Sequence, residues 1–141
     1  MASSSAIADA LITMLSATSA FGANMVTKND YSVLEKAAGS CATITWTGLN
    51  SLPIAFGNDR ERSITMRVDV FVRDVSNPID TLNNVYTAGD VAVTCLEADD
   101  TLLGTVSMVD AIRATRNPDR FVQAGGVTWL PVEVLVEVTE L

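Results

Sequence analysis

The sequence predicts an α+β domain, a mostly antiparallel β-sheet with an N-terminal helix and a central helix packed on one face. Three observations carry that expectation. Residues 62–73 alternate apolar and polar side chains, the period of a half-buried strand. Residues 77–104 open on a helix-start signal, step by three and four, and close in a compact turn. Two strand-like stretches precede that helix and two follow it, with no repeat, linker or low-complexity segment. Residues 1–141 thus form one domain, long enough to bury a single core.

In the N-terminal helix, Ser3, Ser4 and Ser5 offer capping hydroxyls, and Asp9 lies near the positive end of the dipole. Ile7, Leu11, Met14, Leu15 and Thr18 recur at helical spacing, with Gly22 as a stop. Small residues near Ala23 resemble a signal-peptide end. However, no Lys or Arg precedes the apolar middle and Asp9 interrupts it, so the segment reads as a helix of the mature chain. Asp30 to Gly39 reads as a short second helix.

Ser40 to Thr47 is a strand with Ala42, Ile44 and Trp46 on one side. Leu52-Pro53-Ile54 is a short extended piece, and residues 57–61 read as turn and solvent. Arg62 to Arg73 is the clearest strand. Ile64, Met66, Val68, Val70 and Val72 share one face, and Phe71 is the exception on the other.

The central helix starts at Asn77, a good N-cap, followed by Pro78, whose missing N–H costs nothing there. Ile79, Leu82, Tyr86, Gly89, Val93 and Leu96 form its apolar stripe. If that stripe faces the sheet, Leu82→Asp unfolds the chain. Beyond the Asp99-to-Gly104 turn, Thr105 to Arg116 is extended, with Val106, Met108 and Ile112 inward and Asp110 breaking the pattern. Residues 121–123 pair with 127–129 across Gly125-Gly126, a hairpin signal. The last strand, Val127 to Leu141, sends Leu130, Val132, Val134, Val136 and Val138 to the core. Pro131 argues for an edge position or a bulge.

Net charge is −8 with a pI near 4.3, so free nucleic acid is a poor partner. Apolar residues make up 48% and mean hydropathy is +0.29, which excludes a disordered chain and leaves apolar surface for a partner to cover. No apolar run is long enough to span a membrane. Cys41 and Cys95 sit in apolar stretches at no metal-like spacing and read as buried free thiols.

Chemistry is sparse. Histidine is absent, which removes the commonest general base and metal ligand. No glycine-rich loop leads into a helix. The carboxylate pairs Asp99/Asp100 and Glu133/Glu137 read as a helix-end turn and a solvated strand face. Trp46 and Trp129 read as core or sheet-packing residues. No catalytic residue, metal site or cofactor is expected, and the chain is not expected to be an enzyme. Asp59, Arg60, Glu61 and Arg62 form a charged loop that is a candidate subunit or tail-tube contact.

The element order and the central segment resemble the tail terminator proteins of long-tailed bacteriophages. The match lies in Pro78 at the helix start and in Leu96-Glu97-Ala98-Asp99-Asp100-Thr101-Leu102-Leu103-Gly104 at its end. The closing strands, from Val106 onward and Val132 to Val138, complete it. Residues 22–39 and the loop at 48–61 lie outside the resemblance. It implies a virion protein in the tail or neck, made in the host cytoplasm. Such subunits form a ring, usually of six, that caps the tail tube, stops its polymerisation and meets the head-side connector. DNA passes the lumen without specific binding, which an acidic chain favours. Another neck, head-closure or tube protein is the nearest alternative, and a small α+β ligand- or peptide-binding module is the alternative of a different class.

Overall fold

The computed structural model of the protein describes residues 3–21, 24–37, 39–53, 60–75 and 77–140, without the side chains of Arg60 and Glu140. Its elements run α1 (Ser4–Ser16), β1 (Val26–Lys28), α2 (Val33–Lys36), β2 (Cys41–Pro53), β3 (Arg60–Arg73), α3 (Pro78–Glu97), β4 (Met108–Thr115), β5 (Val122–Ala124) and β6 (Val127–Glu140). The described strands form one sheet in the order β1-β2-β3-β6-β4, with β5 also on β6. Every pairing is antiparallel except β1 with β2. The expected fold class is therefore what the chain adopts.

Each helix on the main face starts as its sequence dictates. Ser3 caps α1 by accepting from the Ala6 N–H at 3.1 Å. Asn77 caps α3, accepting from Ile79 N–H at 3.0 Å and Asp80 N–H at 3.4 Å, with Pro78 in the first turn. Buried Thr81 ties the turn down. Its hydroxyl receives the Val75 N–H at 3.1 Å and lies 3.1 Å from the Asp74 carboxylate.

Ile7, Leu11, Met14 and Leu15 of α1 meet the even-numbered side chains of β3 (64 to 72) and of β6 (132 to 138) in the main core. The face that α3 gives to this core corrects the stripe read from sequence. Thr81, Val85, Ala88, Gly89, Ala92 and Leu96 are buried, whereas Ile79 is 70% exposed, Tyr86 63% and Leu82 38%. The buried face is turned from the expected one by somewhat less than the ~100° of one residue step, and only Gly89 and Leu96 belong to both. Small residues at 88, 89 and 92 let the helix backbone come close to the sheet, so the larger side chains are displaced to its flank. Glycine itself is not required there. A Cβ at Gly89 would meet Val132 Cγ1 at 3.6 Å, an ordinary contact. Gly89→Ala should therefore stabilise the chain by about 0.5–1 kcal/mol in a denaturant titration, through helix propensity.

The opposite sheet face carries a second, smaller core. Val33, Leu34 and Ala37 around α2 close over Cys41, Phe71 and Trp129. Tyr31 stands edge-on to Phe71, with centroids 6.1 Å apart. Phe71 thus breaks the alternation of β3 because the second face is locally buried as well. The second helix is shorter than expected and sits on the face opposite α1 and α3.

Several other expectations are corrected. β1 has no counterpart in the sequence reading, and its parallel pairing to Ala42–Ile44 is long-range. β2 absorbs the separate piece at 52–53 and continues through a register shift between Trp46 and Gly48. Trp46 is not a core residue, being 55% exposed at the sheet edge, and Met108 is exposed too. β6 is a central strand. Pro131 is tolerated because it falls between Trp129, the last residue paired with β5, and Glu133, the first paired with β4. Asp110 does mark a register shift, between Val109 and Ala111. The Gly125-Gly126 hairpin forms with both φ values positive (59° and 76°), as a tight two-residue turn needs.

Candidate functional site

The charged segment singled out from sequence lies at the start of β3. Arg60, Glu61 and Arg62 are not in a loop; they pair with Pro53, Leu52 and Ser51, and Glu61 and Arg62 are half-buried. Asp59 falls outside the described residues, as do 54–58. Arg62 shares its face with Ile64 and Met66, the side that α1 and α3 cover.

Sheet register assembles a row of polar groups on the other face. Thr43, Asp69, Glu133 and Thr115 are cross-strand partners through β2, β3, β6 and β4. Two carboxylates directly opposite repel. Arginines offset this. Arg67 Nε donates to Asp69 Oδ2 at 3.2 Å, Arg120 Nη1 lies 4.0 Å from Asp69 Oδ1, and the same Arg120 nitrogen is bonded to Glu133. The Tyr31 hydroxyl adds a 3.2 Å bond to Asp69 Oδ2. Burial works against the Arg67 charge, yet the Tyr31 hydrogen bond and the Asp69 carboxylate outweigh it and hold the guanidinium above its ordinary value. The glutamates are thus not a freely solvated face: Glu133 is half-buried and Glu137 pairs with Arg113 at 3.4 Å. The fully buried Asp69 was not singled out in the sequence. Its place among basic and threonine neighbours on the polar side of β3 was the available signal. This cluster pins Tyr31 and the 116–121 segment to the sheet. Its charges are matched, which gives a clamp rather than a proton donor or nucleophile.

The turn after α3 is built by one side chain. Asp99 accepts from the Thr101 N–H at 2.9 Å, the Thr101 hydroxyl at 2.7 Å and the Leu103 N–H at 3.0 Å. These bonds fix a left-handed run, with φ of 46° at Leu102, 60° at Leu103 and 78° at Gly104. Such values are costly for leucine, and they bury Leu102 in the main core while Leu103 points to solvent. The Thr101 hydroxyl and backbone bonds hold the Asp99 carboxyl below its usual range. A depressed folded value means that its contribution is present above the ordinary carboxylate value of about 3.9 and lost as pH falls through the folded value. Asp99→Ala should therefore melt lower than wild type at neutral pH, with the gap closing in acid. A pH-independent gap would assign the loss to something other than this carboxylate.

Apolar surface remains uncovered at both ends of the strand order. On the β4 side, α3 overhangs the interval of β6 that neither β4 nor β5 pairs. A groove of about 520 Å³ opens there between Tyr86 and Val93 of α3 and Ala114 and Val132 of the sheet. On the β2 side, β1 pairs only as far as Ile44, so Trp46, Leu49 and Leu52 lie exposed along a strand without a further strand neighbour among the described residues.

Both thiols are free. Burial pushes Cys41 up to about 12 and raises Cys95, whose Sγ lies 3.1 Å from the Met14 carbonyl oxygen, so neither is a thiolate at neutral pH. Among the described residues no group of three or more Cys, Asp or Glu side chains is placed to hold a metal ion. No described helix is long and apolar enough to cross a membrane. No family model matches the chain, and no curated protein matches it.

Proposed function

We propose that this chain is a structural virion protein of a tailed bacteriophage, a tail terminator. As a ring, it caps the tail tube, stops tube polymerisation and joins the tube to the head-side connector. The observation that carries the reading is the α3 unit. Its Asn77-Pro78 start and its Leu96-to-Gly104 end match the family pattern, and that end is a specific structure, tied by Asp99 and plugged into the core by Leu102. Unlike apolar surfaces on opposite sides of the sheet support it, because a ring needs two different faces that fit each other. A net charge of −8 suits a lumen that DNA must slide through without being gripped.

Immunogold electron microscopy of intact virions tests the assignment. A terminator is labelled at the junction of head and tail. Label along the whole tail would make the chain a tube subunit, and virions without label would overturn the virion reading.

A further inference from the structure

The stripe Ile79, Leu82 and Tyr86 has the spacing of a packed helix face and is left unpacked by the fold. It continues into the groove whose rim carries Asp90 and Glu97. From Pro78 to Glu97, α3 has three acidic residues and no basic one. At the far side of the sheet, the strip of Trp46 and Leu49 belongs to a strand with no charged residue from Cys41 to Pro53. Its charged neighbours are basic: Lys28 shares a surface depression with Trp46, and Arg62 pairs with Ser51 on the same sheet face. The two surfaces differ in shape and complement each other in charge. They also lie at opposite ends of the strand order, so using one leaves the other free.

We infer that copies of this chain join head to tail, with Trp46 and Leu49 of one copy seated in the groove beside α3 of the next. A groove of about 520 Å³ is within the range of sites that enclose a small molecule (~300–1,000 Å³), so it holds an indole and a leucine side chain. Lys28 and Arg62 then approach the acids of α3. The register shift after Trp46 and the proline at 53 blunt β2 for strand-to-strand pairing, so side-chain insertion and not sheet extension makes the contact. This contact deepens the ring reading above, on which its biological meaning rests.

Two variants and their mixture test it by sedimentation velocity. The wild-type chain should associate beyond its 15.0 kDa monomer. Trp46→Asp and Tyr86→Asp should each be monomeric with unchanged circular dichroism, since both side chains are more than half exposed. An equal mixture should give a species of twice the monomer mass and stop there, because each mixed pair has one intact contact and one broken. A monomeric wild type, a variant that associates like wild type, or a mixture that stays monomeric would each overturn the contact. A chain that is monomeric but whose deletion gives overlong tails would sink this interface and leave tail capping standing. Mixed dimers from a chain whose deletion leaves tails unchanged would do the reverse.

Discussion

Leu96→Asp should leave the chain unfolded at room temperature, whereas Leu82→Asp should fold and melt close to wild type. Leu96 is fully buried in the main core, in contact with the layer that α1 and α3 share. Removing such a side chain alone costs about 2–5 kcal/mol. Placing a carboxylate among apolar groups adds a further penalty of several kcal/mol. A domain of this size holds only about 5–15 kcal/mol in total. Leu82 stands on the flank at 38% exposure, so its substitute keeps access to water. Circular dichroism melts of the pair read out which face of α3 is inside. If Leu82→Asp unfolds and Leu96→Asp does not, the helix is rotated from the position described.

The second large effect is expected at Trp129. Trp129→Ala should cost about 3–5 kcal/mol, while Trp46→Ala should change stability little. Trp129 is fully buried under α2 with Cys41 and Phe71, and it is the largest side chain of the second core. Truncation empties the space beneath Val33 and Leu34 and loosens Tyr31, which shares its contacts between Phe71 and Asp69. Chemical denaturation measures the cost, and fluorescence gives an independent check. The Trp129→Ala chain keeps only the solvent-facing Trp46 and should emit at longer wavelength than Trp46→Ala. Equal stability losses at both sites would mean that the second core does not contribute as described.

Local signals in the sequence led to correct elements, and coverage by distant elements was what they lacked. Asn77 and Pro78 set the start of α3 through bonds made within four residues. Gly125-Gly126 specified a turn of two residues, and Asp110 announced the irregularity in β4. Burial on either side of a strand or helix depends on what lies above it. Trp46 obeys the alternation of β2 but is left bare because β1 stops at Lys28. Phe71 and Asp69 are buried on the polar side of β3 because α2, Tyr31 and Arg120 fold over them. The face of α3 was misread because both of its sides are apolar, and the sheet chose the smaller residues. β1 is three residues held by a parallel partner, too short for any periodicity to show.

The candidate contact residues were legible only in part. Charge drew attention to Asp59–Arg62, yet Arg60 to Arg62 are strand, and the larger uncovered features are apolar. Those features lie on Trp46, Leu49 and the α3 flank. From sequence they look like core, because exposed interface and buried core have the same composition.

Tail length in a phage that lacks this gene tests the central claim most directly. Electron micrographs should show tails longer than wild type and variable in length, since nothing ends tube growth. Tails of normal length in that mutant would contradict the terminator reading.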